Sequence, residues 1–177
     1  DWCRREAPDL EPDMIIWTRR PPHFGPTPAE DFVRSLRACQ LQTETEMVVV
    51  LPPVSTYDLR GRVAWRDEEA ALKRMLTVRK VPMVELTPIF RKAQEGRGDA
   101  LVLTESEASV VNQETGEVLL TVAFDNKHMP KAVYDLFEDD PEVREALFFD
   151  QGHPDAEGFQ LFAETVADTV EPLLKKQ

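Results

Sequence analysis

Residues 47–53 read Met-Val-Val-Val-Leu-Pro-Pro, and this short apolar run decides the class of fold. Its β-branched residues favour an extended conformation, and an uninterrupted apolar run is typical of a strand buried on both faces of a sheet. The two prolines that follow end the strand, because proline cannot donate to the hydrogen-bond ladder. A similar run, Met14 to Trp17, lies earlier in the chain and predicts a second buried strand.

Helical patterns alternate with these strands. Thr27 and Pro28 are typical of a helix start, and a helix is predicted from there to about Gln40. A helix over residues 68–78, a third strand over 82–86 and a further segment over 88–93 continue the alternation. Strands that alternate with helices predict right-handed crossovers and a mainly parallel sheet, the α/β class.

Residues 101–124 interrupt this rhythm. Three apolar runs surround a polar turn at 112–116 and predict a β-hairpin or a small antiparallel addition. Residues 130–147 are predicted to be helical, with Pro141 starting a second short helix. A last helix is predicted from about Ala156 to Leu174, with these apolar residues on one face: Phe159, Phe162, Val166, Val170 and Leu173.

Composition limits the classes of partner. The 177 residues are 42% hydrophobic, which is enough for a single domain over 1–177 with its own core. The 33 acidic residues exceed the 21 basic ones, and the net charge of −12 disfavours nucleic acid and anionic membrane surfaces. No apolar run approaches the ~20 residues that span a bilayer.

The two cysteines, Cys3 and Cys39, permit at most one disulfide and leave the compartment undetermined. Cys39 falls in a predicted helix, where a small buried thiol is ordinary. Neither cysteine has a partner at metal-ligand spacing, so we expect no structural metal site.

The segment Asp150-Gln151-Gly152-His153 carries the chemistry of most interest. An imidazole that acts as a general base needs its second nitrogen held by an acceptor. A carboxylate three residues earlier, across a turn that contains Gly152, can fold back to provide it. The alternative interpretation is a surface loop that contains an Asp, a His and a helix start.

The stretch from Phe148 to Phe159 resembles the final motif of the SGNH (GDSL-like) hydrolase family: apolar residues, D-x-x-H, Pro, polar residues, Gly and an aromatic before a C-terminal helix. The segment Pro12 to Ile16 is similar to that family's "PD" strand, and Met47 to Pro53 to the strand after it. The resemblance implies a three-layer α/β/α, flavodoxin-like fold. It also implies that Asp150 and His153 are the acid and base of a Ser-His-Asp triad, acting on an ester or acylated-glycan substrate without a metal or organic cofactor.

The chain departs from the family at the nucleophile. Neither the Gly-Asp-Ser block nor the Gly-x-Asn-Asp oxyanion element is found, and the four serines stand in other contexts. The resemblance therefore implies a domain incomplete at its N-terminus. We expect a preceding segment or a second chain to complete the sheet beside Met14–Trp17 and to supply the serine. The rival hypothesis is a non-catalytic binding or structural subunit of a larger assembly.

Three basic residues follow the first predicted strand. Arg19, Arg20 and His23 are candidates for an oxyanion or substrate-binding site at the carboxyl edge of the sheet, where ligands of open α/β folds bind. A solvated basic loop is the alternative.

Overall fold

The computed structural model describes residues 10–18, 29–54, 59–123, 145–148 and 153–175. The chain divides into two compact units. The described residues of the first unit come from within Asp1–Pro52, Ala64–Leu86 and Ala163–Gln177, and those of the second from within Pro53–Val63 and Thr87–Phe162.

The first unit contains a parallel sheet of three strands in the order β1-β2-β3: β1 (Met14–Thr18), β2 (Glu46–Leu51) and β3 (Met83–Glu85). Helix α1 (Ala29–Thr43) connects the first two strands, and α2 (Leu59–Val78) connects the second and third. The predicted α/β class with a parallel sheet is therefore confirmed. Helix α2 begins nine residues before the predicted start, in a stretch whose charged residues and Gly61 weaken the helical pattern.

The core of this unit lies on the face of the sheet that α1 and α2 cover. Met47, Val49 and Leu51 of β2 share one apolar cluster with Val33 and other residues of both helices: Phe32, Leu36, Cys39, Leu72 and Leu76. Val48 and Val50 point to the other face and are also fully buried. Burial on both faces explains why β2 is apolar without alternation.

The interpretation of Cys39 as a small buried thiol is wrong. The residue is buried, with 1% of its surface exposed, but it is disulfide-bonded. Cys3 is the only other cysteine in the sequence, and it lies outside the described residues.

The second unit contains α3 (Leu86–Ala93), apart from its first residue, and an antiparallel sheet in the order β4-β5-β6. The strands are β4 (Asp99–Leu103), β5 (Glu107–Asn112) and β6 (Val118–Ala123). The predicted antiparallel addition is confirmed, with three strands. Ala108 and Val110 of β5 are fully buried on one face of this sheet.

The prediction of a helix over 130–147 is wrong for residues 145–147. Residues 130–144 lie outside the described part of the chain. Glu145 forms an antiparallel bridge with Gly98, and Leu147 has a φ of 70°, a value that no right-handed helix contains. The last helix, α4 (Ala156–Leu174), has the predicted bounds. Its Val170 is buried as expected, but Phe159 is 56% exposed, so Phe159 does not belong to the buried face.

Candidate functional site

The described residues just before and just after 149–152 are joined to each other, and His153 belongs to the second of these two stretches. Phe148 and Pro154 form an antiparallel bridge, and the amide of Asp155 donates a 3.0 Å hydrogen bond to the carbonyl oxygen of Leu147. The backbone at Leu147–Phe148 and the backbone at Pro154–Asp155 are therefore held together. His153 stands in the second stretch, directly before Pro154, and its side chain is exposed.

The first stretch is anchored in the core of the second unit. Leu147 and Phe148 are 2% and 4% exposed. The Phe148 ring packs against the ring of Phe90 in α3, and the two ring centroids are 5.6 Å apart. The Nε2 of Gln94 donates a 2.5 Å hydrogen bond to the carbonyl oxygen of Ala146. These contacts fix the backbone immediately before residue 149.

Leu147 has a left-handed backbone conformation, with φ 70°. This conformation is rare for a bulky residue and costs of order 1–3 kcal/mol, so it persists only where its surroundings impose it. It closes a tight turn in which the amide of Phe148 donates to the carbonyl of Glu145 at 3.1 Å. The strain therefore lies at the residue that closes this turn.

The second stretch is anchored by the start of α4. The Oδ1 of Asp155 accepts a 2.8 Å hydrogen bond from the amide of Gly158, which is the N-cap arrangement at the third helical position. Gly158 also touches the first stretch. A Cβ at this position would overlap the carbonyl oxygen of Leu147 and would lie 2.9 Å from the Cβ of Pro154.

An ion pair holds the first turn of α4 to the segment before β4. The guanidinium of Arg97 donates to both carboxylate oxygens of Glu157, at 2.9 and 2.7 Å. The hydrogen bonds from Arg97 lower the pKa of the Glu157 carboxyl, and the same bonds raise the pKa of Arg97. Both side chains are exposed, so the pair orients the helix start more than it stabilises the fold.

A small cavity lies in the same unit, in the vicinity of the turn that leads into Leu147. Its volume is about 140 Å³, and Arg91, Gln94 and the buried carboxylates of Asp99 and Glu145 contribute to its lining. Asn112 donates to Asp99 at 3.2 Å. The cavity is smaller than the ~300 Å³ at which ligand pockets begin, so it fits water better than an ester substrate.

Of the residues that the sequence singles out, the structure describes only His153. Asp150, Arg19, Arg20 and His23 lie outside the described residues, so their spacing to His153 stays a prediction. Within the described part of the chain, no group of three or more His, Cys, Asp or Glu side chains could hold a metal ion. No helix in the described ranges is long and apolar enough to cross a membrane.

Three of the four serines have roles in local structure. The hydroxyl of Ser35 donates to the carbonyl of Asp31 one helical turn earlier, and Ser109 is hydrogen-bonded to Thr121 across two strands at 3.0 Å. Ser106 lies in the turn before β5, where its amide donates to the hydroxyl of Thr104. Ser55 lies outside the described residues.

The residues that fix these two stretches were not identified as such from the sequence. Gly158 belongs to the quoted motif, but a glycine in a helix start does not reveal that a carbonyl approaches it. Arg97 and Gln94 lie about 50 to 60 residues from their partners in the chain, and no local pattern marks such pairs.

Searches for similar proteins among family models, curated proteins and solved structures find no match to this chain.

Proposed function

We propose that this chain supplies the acid and base of an SGNH-like ester hydrolase or O-acyl (O-acetyl) transferase with the family's three-layer α/β/α fold. His153 is the general base that deprotonates a serine, and Asp150 orients the imidazole. The observation that carries the proposal is that the Phe148–Pro154 bridge and the Asp155–Leu147 hydrogen bond fix the backbone directly after His153. A general base contributes only when it is held within hydrogen-bond reach of its target, and a fixed backbone next to His153 supports this.

The nucleophile comes from another segment or chain in this proposal. Ser35 and Ser109 are occupied in local hydrogen bonds, which supports this choice. Arg19, Arg20 and His23 are proposed to bind the substrate or stabilise the oxyanion at the carboxyl edge of the sheet. The substrate class is an ester or an acylated glycan, and the proposed chemistry requires no metal or organic cofactor.

The proposal is tested by hydrolysis of p-nitrophenyl acetate. The chain alone should form no acyl-enzyme burst, and turnover should depend on the polypeptide that supplies the serine. In the active assembly, His153→Asn and Asp150→Asn should each lower kcat by at least about a hundredfold. Gln151→Ala, between the two residues in the sequence, is the matched control and should leave kcat near the wild-type value. Full activity of His153→Asn would contradict the proposal.

A second candidate function is that of a non-catalytic subunit in a larger assembly. Ile16 of β1 and Val48 of β2 are register partners on the same face of the sheet, yet Val48 is fully buried whereas Ile16 is 46% exposed. Among the described strands, β1 pairs only with β2. An edge strand with an exposed apolar side chain is a template for another strand, so a further segment or a second chain is proposed to cover it.

The edge is tested by sedimentation of the wild type and of Ile16→Lys. The wild type should associate with itself or with the strand-donating polypeptide, and Ile16→Lys should abolish that association. Leu41→Lys, a substitution at a 66% exposed position on α1, is the control and should leave it unchanged. If the wild type melts cooperatively as a monomer and also sediments alone in the presence of the other polypeptide, no further strand covers β1 and the second candidate function is contradicted.

A further inference from the structure

A cavity of about 290 Å³ lies in the first unit. Val33 and Leu36 of α1 and Met47 of β2 contribute its apolar floor, and these three residues are at most 4% exposed. The volume is close to the ~300 Å³ at which ligand pockets begin. The cavity therefore has room for a small apolar group. His153 is not among the residues that line it, so a ligand in this cavity is independent of the proposed catalytic role.

The rim of the cavity is rich in hydrogen-bond donors. Arg37, Gln40 and Arg79, whose side chains carry hydrogen-bond donors, contribute to its lining. The Nη1 of Arg37 donates to the Oε1 of Gln40 at 2.6 Å, which occupies the amide oxygen and leaves the amide NH₂ as a donor. None of the described residues that line the cavity is acidic.

Among the described residues, no carboxylate neutralises the two arginines. Neither Arg37 nor Arg79 forms an ion pair with a described residue, although acidic residues outnumber basic ones in the chain by 33 to 21. By contrast Arg34, one turn before Arg37, pairs with Asp31 at 2.9 Å. Two arginines that no described carboxylate pairs with line one cavity, and they form a local positive site in an acidic chain.

Arg79 directly follows α2, but its guanidinium group is not needed to bond the last carbonyl groups of that helix. A cation near a helix C-terminus can bond the last carbonyl groups. Here backbone amides already fill that role: those of Arg79, Lys80 and Val81 donate to the carbonyls of Met75, Thr77 and Leu76. The guanidinium of Arg79 makes no hydrogen bond to any described residue, so it remains available to a ligand.

We propose that this cavity binds a small amphiphilic carboxylate, with the carboxylate at Arg37 and Arg79 and the apolar chain against Val33, Leu36 and Met47. Guanidinium groups match the geometry of a carboxylate, and charge-assisted hydrogen bonds are roughly twice as strong as neutral ones. The apolar floor selects a carboxylate with a short hydrocarbon chain over acetate or an inorganic anion.

The test is a saturation-transfer NMR titration of the full 177-residue chain with sodium hexanoate at constant ionic strength. Hexanamide, which has the same hydrocarbon chain without the charge, should bind at least about tenfold more weakly. Arg37→Gln and Arg79→Gln should each weaken hexanoate binding about five- to tenfold, and the double variant should abolish it. Arg34→Gln is the matched control on α1 and should bind hexanoate as the wild type does.

Three outcomes would overturn the proposal. They are the absence of saturable hexanoate binding, equal affinities for hexanoate and hexanamide, and retained affinity in the Arg37→Gln/Arg79→Gln double variant. Val81→Trp, which fills the cavity from its rim, should abolish hexanoate binding while leaving the circular dichroism spectrum unchanged. Because the arginines are exposed, their variants should fold even if the tryptophan variant does not.

Discussion

The backbone amide of Asp155, two residues after His153, donates a 3.0 Å hydrogen bond to the carbonyl oxygen of Leu147. The carbonyl group of Leu147, at the end of a buried turn, thus also binds the residue that precedes α4. Gly158, one turn into the helix, lies against the same carbonyl. The backbone at Leu147 and the start of α4 are therefore positioned together, and a change at one should be felt at the other.

Gly158→Ala should lower the free energy of unfolding by about 1–3 kcal/mol, although alanine is the better helix former. The added methyl group would overlap the carbonyl oxygen of Leu147, which is backbone and cannot move without stretching its bond to Asp155. Urea denaturation measures the change. Asp168→Ala, at an exposed position of the same helix, is the control and should stay within about 0.5 kcal/mol of the wild type. A Gly158→Ala chain as stable as the wild type would show that the close approach does not exist.

Thermal stability should depend on the Arg97–Glu157 pair in one pH range only. Because hydrogen bonds from Arg97 lower the pKa of Glu157 below its ordinary value of 4.5, the pair stabilises the fold above pH 4.5. This contribution is lost as the pH falls through the folded-state pKa. The melting temperature of Glu157→Gln should therefore lie below that of the wild type at pH 7 and approach it towards pH 3.

The control for this pH series is Glu105→Gln, a substitution at an exposed turn with no ion pair to a described residue. The difference in melting temperature between Glu105→Gln and the wild type should not shrink between pH 7 and pH 3 in the way expected for Glu157→Gln. Since both partners of the Arg97–Glu157 pair are exposed, the effect should also shrink in high salt. A gap between wild type and Glu157→Gln that is the same at pH 7 and pH 3 would contradict the assignment.

Reduction should destabilise the protein through Cys39. A disulfide between the two cysteines would close a loop of roughly 37 residues, and the chain-entropy model gives such a loop roughly 4 kcal/mol of stabilisation. Thiol titration of the denatured protein should find no free thiol before reduction and both cysteines free after it. A reducing agent should shift the urea midpoint of the wild type but not that of Cys3→Ser/Cys39→Ala. Two free thiols in protein purified without reductant would refute the bond.

The parallel sheet could be predicted from sequence because its signals are local. The run Met47–Leu51 is continuous and β-branched, and Pro154-Asp155 marks the start of α4 because an aspartate caps the helix there. Local sequence signals do not predict the backbone of Leu147, because its left-handed conformation is imposed by burial and by the turn around it. Residues 130–147 have a helical pattern in the sequence, and tertiary contacts override that pattern at 145–147.

The candidate site could be predicted only in part, for a related reason. The D-x-x-H spacing identifies the two residues, but the groups that fix the described residues on either side of 149–152 come from distant parts of the chain. Gln94 bonds Ala146 and Arg97 bonds Glu157 over long sequence separations, so no pattern in a window of the sequence marks them. Phe159 looks like a core residue by its spacing, yet it is exposed, because helical spacing does not say where the buried stripe ends.

The pairing of Asp150 with His153 is the central claim, and ¹⁵N NMR of the histidine side chains tests it most directly. The sequence has only three histidines, so His153 can be assigned by comparison with His153→Asn. The His153 ring should be in the tautomer with Nδ1 protonated, donating a hydrogen bond of ~2.6–3.2 Å to the Asp150 carboxylate. Asp150→Asn should remove that preference, and Asp155→Asn, on the other side of the histidine, should preserve it. A His153 ring protonated at Nε2 and unchanged by Asp150→Asn would contradict the account.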